Sequence, residues 1–290
     1  MDDGLLGRRV GAISEGLTRL DTPIKEQMLA RVGVSEPYFD LHDLRFNRER
    51  LLATARATFA QNKEVGPMQM AEVCRHASVA GASVIGWRQR DALRRYCLVE
   101  TLNLRAERSE TDYGTPVDFA AKVIGITAKT AETSVTVRVN GSRLADLEIR
   151  YRILKEDEFK ETFRDKFYRA APYVRPIWTM LNTPLIREGL GTARKLSVHP
   201  ASCQGHFDTY PALPLPLVAG EFVNQAASRL NGPYRCTELS LQAEALCWAS
   251  DKLKVGSVPG QHTGATLSFK GYVSRDNKRL IKSDVSIAAA

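Results

Sequence analysis

No apolar run among the 290 residues approaches the roughly 20 that a bilayer-crossing helix needs, so a helical membrane span is excluded. The first ten residues, MDDGLLGRRV, place acids first and sustain no apolar core, so they do not read as a secretory signal. Cysteine is scarce and odd in number: Cys74, Cys97, Cys203, Cys236 and Cys247, none in a C-x-x-C pair. That argues against a disulfide framework and for reduced thiols in a cytoplasmic protein. The spacing of histidine and cysteine offers no zinc site. No long basic run and no nucleic-acid-binding motif accompany the net charge of +8. Such a balance favours acidic partners. The basic residues, among them Arg88, Arg90, Arg94, Arg95, Lys278 and Arg279, are scattered, so ordinary surface solubility accounts for them equally well and nucleic acid is not expected.

What is present is a repeat. Residues 1–35 read as a helical extension, with Thr22 as N-cap and Pro23 at the first helical position. Residues 38–59 carry short apolar segments and a charged cluster that periodicity alone does not assign. A run of small and apolar residues from Gly66 to Trp87, with Pro67 in its first turn, predicts a helix buried around most of its circumference. Strand patterns follow at 96–104, 117–124, 133–139 and 144–153, with a hairpin turn at Asn140-Gly141. Residues 155–188, with Phe159, Phe163 and Phe167 at helical spacing and then Pro172, Pro176 and Pro184, read as a connector. The order then recurs: a strand at 195–198, a helix at 216–230, and strands at 237–248, 252–258, 263–273 and 279–287, the last two joined at Asp276-Asn277. The two helices match in detail. Pro67 precedes Glu72, and Pro216 precedes Glu221, by the same interval, and His76 and Gln225 each follow the acid one helical turn later on the same face.

The segment Cys203-Gln204-Gly205-His206-Phe207-Asp208-Thr209-Tyr210-Pro211-Ala212-Leu213-Pro214 resembles the Q-G-H-F-P-G-x-P-x-x-P-G signature of the β-hydroxyacyl-ACP dehydratases, and Glu221 to Gln225 take the place of that family's E-A-M-A-Q. The resemblance implies an α+β double hotdog: hotdog 1 over 36–154, the connector over 155–188 and hotdog 2 over 189–290, each an antiparallel sheet wrapped round a central helix. It also implies a site shared between the halves, in which His206 of the second faces Glu72 of the first. His76, Gly205, Phe207, Leu217, Glu221 and Gln225 would serve as pocket or support. The first half lacks the G-H-F motif, so one working site and one degenerate site are expected. Asp208 and Thr209 replace the family's proline and glycine. Pro214-Leu215-Pro216 replaces its helix-start glycine, whose N–H holds the thioester carbonyl; the Leu217 N–H is the candidate substitute.

The chemistry so implied is dehydration of a β-hydroxyacyl thioester. Imidazole would act as base at the α-carbon, and a carboxyl of raised pKa as acid for the departing hydroxyl. This chemistry needs no metal or redox cofactor, and the substrate would be carried on coenzyme A or on the phosphopantetheine of an acyl carrier protein. The same pocket would suit a thioesterase if Glu72 instead orients a water, and it could also become an acyltransferase. A non-catalytic acyl-binding or scaffold subunit of a synthase is the reading from another class. For Glu72, a structural ion pair with Arg75 or another basic residue competes with catalysis. Monomer and homo-oligomer are both compatible with two units in one chain.

Overall fold

The computed structural model describes residues 18–19, 22–59, 69–88, 93–107, 114–168, 185–207, 209–230 and 232–289. Pro67, Arg90, Asp208, the three connector prolines and residues 1–17 of the N-terminal stretch lie outside them. The first half comprises β1 (Thr18–Arg19), α1 (Thr22–Val32), β2 (His42–Asn47), β3 (Leu52–Thr58), α2 (Gln69–Arg88), β4 (Arg95–Ala106), β5 (Pro116–Ile126), β6 (Thr130–Val139) and β7 (Ser142–Lys155). A short helix α3 (Glu156–Thr162) follows. The second half comprises β8 (Ile186–Glu188), β9 (Gly191–Ser197), α4 (Leu215–Ala227), β10 (Tyr234–Ala243), β11 (Lys252–Thr263), β12 (Thr266–Arg275) and β13 (Lys278–Ala289). The architecture is α+β.

Among the described residues thirteen strands join one antiparallel sheet in the order β1-β2-β3-β5-β6-β7-β4-β10-β13-β12-β11-β9-β8. The halves meet where β4 pairs with β10, Leu104 opposite Leu239 and Leu102 opposite Leu241. That pairing covers an edge on each half that would otherwise present unpaired backbone groups. Alternation sets the face of each strand. In β7, Leu147, Ile149, Tyr151 and Ile153 are buried while Glu148, Arg150 and Arg152 are exposed. Both hairpin turns follow their residues: Asn140 and Gly141 sit at φ 50° and 77°, Asp276 and Asn277 at 49° and 64°, the paired left-handed conformations that suit a two-residue turn.

Helix α2 packs on β3, β5 and β6, α4 on β10, β11 and β13, and the helices touch each other. Every residue of α2 from Met70 to Gly86 is buried. Val73, Val79, Val84 and Ile85 each contribute roughly 1.5–3 kcal/mol by leaving water. Small residues permit this depth. A side chain on Gly81 would meet the Tyr151 hydroxyl, and one on Gly271 the Phe222 ring.

Two stretches differ from the sequence expectation. The unassigned 38–59 contains the hairpin β2–β3, its pattern faint because the residues β3 turns inward are Ala53, Ala55 and Ala57 and because the register shifts between His42 and Arg45. The strand expected to reach Trp248 ends at Ala243, because the Glu244 and Ala245 N–H groups both turn onto the Leu280 carbonyl (2.8 and 3.2 Å). This frees Cys247 and Trp248 to pack over the loop before α4, where Leu213 N–H donates to the Cys247 carbonyl (2.7 Å). Phe159 of α3 stacks on Tyr96 (3.7 Å between centroids) and so ties the start of the 155–188 segment to the first half. All five cysteines are buried free thiols.

Candidate active site

His206 lies on the loop that leads into α4, and that loop is zipped onto the first half of the chain. Ser35 N–H donates to the Gly205 carbonyl (2.9 Å) and Phe207 N–H to the Gly33 carbonyl (3.1 Å). Gly205 takes φ +78° with its α-carbon against the Ser35 carbonyl and the Tyr38 N–H, leaving no space for a β-carbon. The Gly205→Ala variant is therefore expected to lose roughly 2–4 kcal/mol of stability. Gly141→Ala, also at positive φ but with open space around it, should lose only about 1 kcal/mol. Urea melts of the two variants side by side check this, and equal losses would mean that the loop is not held against residues 35–38.

The half-buried His206 ring is fixed from three directions. Its Nδ1–H donates to the Ala212 carbonyl (2.8 Å), which leaves the lone pair on Nε2. It stacks on Phe207 at 3.8 Å and leans on Tyr38 at 4.8 Å. Burial pulls its pKa down to about 4, against the bond to Ala212, which favours the charged form. The ring is thus neutral at physiological pH.

His206 lines a cavity of about 40 Å³ together with Tyr38, Cys97 and Val99 from the first half and Leu215 and Cys247 from the second. That volume holds about one water. Burial pushes the Cys97 and Cys247 thiols up to about 12, and Cys203, beside the loop, higher still. The cavity therefore offers a base and no thiolate nucleophile. The start of α4 also faces it, through Leu215 and Pro216. Leu217 N–H, the donor suggested by the sequence, is taken by the Pro214 carbonyl (3.1 Å). Pro216 has no N–H, and the Leu215 N–H bonds nothing among the described residues.

Glu72 lies in the first turn of α2, buried, and grips Arg75 with both oxygens (Nε–Oε1 2.7 Å, Nη2–Oε2 2.6 Å). Its Oε2 is also 3.0 Å from His76 Nε2. Burial alone would raise its pKa, but Arg75 and His76 outweigh burial and hold it at about 2. His76 is held neutral by burial and by the Arg75 charge, with Glu72 opposing, and its ring stacks on Phe59 at 5.6 Å. Arg75 donates in turn to the Tyr38 carbonyl and, at 3.4 Å, to that of Pro37. No hydrogen bond or ion pair joins Glu72 to His206 among the described residues; Arg75 and Tyr38 lie between them. Sequence reasoning gave Tyr38 and Leu215 no part in the site. No local pattern marks either, since both matter only through contacts made across the halves.

The equivalent place on α4 holds Glu221, which accepts from Gln225 Nε2 (2.9 Å) and from Arg194 Nη1 (3.3 Å). Burial raises its pKa, while Gln225 and Arg194 pull it back. Gln225 also reaches the Val255 carbonyl (3.2 Å). The two halves thus repeat one arrangement, an acid with a polar residue one turn later and an arginine.

No protein-family model and no curated protein matches the chain. Solved structures do. A Lactobacillus plantarum protein put forward as an oleoyl thioesterase is 10% identical, with a TM-score of 0.61 over 82% of this chain and 96% of its own. The 12:0-ACP thioesterase of Umbellularia californica is 11% identical, with a TM-score of 0.56 over 88% of this chain and all of its own. A hotdog-fold protein of unknown function from Alicyclobacillus acidocaldarius is 12% identical, with a TM-score of 0.51 over 89% and 99%. At such identities the likeness is one of fold, and the fold is the α+β hotdog.

Proposed function

We propose that the chain is a double hotdog that hydrolyses an acyl thioester carried on coenzyme A or on the phosphopantetheine of an acyl carrier protein. The observation that carries this reading is His206: neutral, oriented by Ala212, and lining a water-sized cavity beside the start of α4. His206 Nε2 takes a proton from a water as its oxygen adds to the thioester carbonyl carbon. The carbon–sulfur bond then breaks, and the departing sulfur takes the proton from the imidazolium. The Leu215 N–H, at the positive end of α4, suits the oxyanion that forms between these steps.

Hydrolysis is favoured over dehydration by Glu72. Dehydration needs a proton donor for the leaving hydroxyl, and a carboxylate held at about 2 has no proton to give near neutrality. The named activities of the solved thioesterases of like fold point the same way. Buried free thiols suit a reducing compartment. One observation favours a second reading, a non-catalytic acyl-binding subunit: at about 40 Å³ the cavity admits an acyl chain only if lining side chains move.

Product analysis by mass spectrometry separates these readings, with saturated, β-hydroxyacyl and enoyl thioesters of coenzyme A and of carrier protein as substrates. The expected result is one free thiol released per free acid. Loss or gain of water with the thioester intact would make the protein a dehydratase, and retention of an unaltered acyl thioester a binding protein.

A further inference from the structure

Glu72 and Arg75 sit in one half and His206 in the other, yet a continuous set of contacts runs between them. Glu72 binds one edge of the Arg75 guanidinium, through Nε and Nη2. Arg75 is buried at 3% exposure, its Nη2 also lies 3.0 Å from His76 Nε2, and its Nη1 donors point away from the carboxylate. They meet the carbonyls of Pro37 and Tyr38. The stretch so gripped also receives the His206 loop: Ser35 bonds Gly205, Gly33 bonds Phe207, and Gly205 has backbone on its open side. The Tyr38 ring then forms one wall of the His206 ring's seat. We propose that Arg75, oriented by Glu72, is a positioning residue for His206, acting through the backbone of residues 35–38 and the Tyr38 ring rather than on substrate. A guanidinium suits this work because its planar fork binds a carboxylate on one side while its third nitrogen reaches backbone carbonyls on the other. The proposal gives Glu72 a part in the site without proton transfer, and its link to turnover rests on the hydrolase reading.

Among the described residues, the titratable groups that line the cavity with His206 are Tyr38, Cys97 and Cys247, all held neutral by burial. A change in the ring's titration in Tyr38→Ala therefore reports access of water, while Arg75→Met and Glu72→Gln, which change the local charge in opposite senses, separate water access from charge by shifting the midpoint in the same direction. The test is a pH titration of the histidine rings of the full-length chain by NMR, with the five histidines resolved by substitution. Tyr38→Ala is expected to raise the His206 midpoint by about 1–2 units as water reaches the ring, while Tyr38→Phe leaves it in place. Arg75→Met should raise it in the same way, and the double variant should shift it no further than either alone. Arg75→Lys, which keeps the cation and loses the fork, should fall between. If Arg75→Met does not fold, Glu72→Gln takes its place, with a smaller shift of the same sign. In the steady state, Arg75→Lys should lower kcat about tenfold with KM little changed. A wild-type midpoint in Tyr38→Ala, or in every folded Arg75 and Glu72 variant, overturns the proposal, as do additive shifts. The titration needs no turnover. An inert wild type therefore sinks the hydrolase alone, and an active enzyme whose His206 ignores Arg75 sinks this inference alone.

Discussion

The His206→Gln variant is expected to lower kcat/KM for thioester hydrolysis by about 10²–10⁴-fold, the range that loss of a positioned general base costs. Glutamine keeps a donor for the Ala212 carbonyl that His206 now bonds, so the loop retains its shape and the missing part is the basic lone pair. The effect should fall on kcat more than on KM, since the lone pair acts on water in the transition state. The wild-type pH profile is a second, independent reading. A base whose pKa burial has brought to about 4 works while deprotonated. Thus kcat/KM should stay level from neutrality down to about pH 5 and halve near pH 4, well below the point at which an ordinary histidine would fail. Linkage adds a stability effect of the same sign. The unfolded chain binds a proton below about 6.5 and the folded chain only below about 4, so stability falls as pH drops through that window, by at most about 3 kcal/mol for a partly exposed ring. The variant should lack that share of the decline. A rate that halves near pH 6.5, or a His206→Gln enzyme of wild-type activity, would remove His206 from the chemistry.

The elements were legible in the sequence wherever periodicity and turn chemistry agreed. The buried helix 69–88, the strands 95–155 and the two hairpin turns follow from small residues, alternation and residues that accept positive φ. The repeat led to the expectation of two like units, and one antiparallel sheet runs through the described strands of both stretches, with β4 beside β10. The hairpin at 42–58 escaped because the inward residues of β3 are the small Ala53, Ala55 and Ala57, which mark the alternation weakly, and because β2 is irregular at its start. The Q-G-H-F stretch drew attention to His206, and the structure adds what fixes it: a carbonyl six residues on and a tyrosine 168 residues back. Glu72 was legible as an acid on a buried helix, for which catalysis competed with an ion pair to Arg75 or another basic residue, and the structure pairs it with Arg75. The dehydratase expectation rested on the motif alone. The motif records which residues stand in line, and not that an arginine three positions on keeps the acid ionised.

That ion pair underlies the largest stability effect expected in the molecule. Glu72→Ala removes the carboxylate and leaves the Arg75 guanidinium buried against two carbonyls and the His76 ring, where its charge is no longer balanced. Breaking a buried pair from one side costs about 3–5 kcal/mol, a large share of the 5–15 kcal/mol that holds a typical protein folded. The melting temperature should fall by about 10 °C. Glu72→Gln keeps hydrogen-bond acceptance on one oxygen and should lose less. Glu72→Leu combined with Arg75→Met removes both charges, and its loss should be smaller than the sum of the single losses by 2 kcal/mol or more, a coupling of the order expected for buried partners. The pH dependence offers an internal check. Because the folded Glu72 is held at about 2, below its ordinary 4.5, its contribution is present above pH 4.5 and lost as pH falls through about 2. His206 and the buried neutral His76 act instead below their ordinary 6.5, His206 down to about 4. Stability of the wild type measured against pH should therefore decline in two stages, and Glu72→Ala should lack the lower one. A Glu72→Ala protein that melts within about 1 °C of wild type would mean that the pair is solvated and contributes no more than an exposed ion pair.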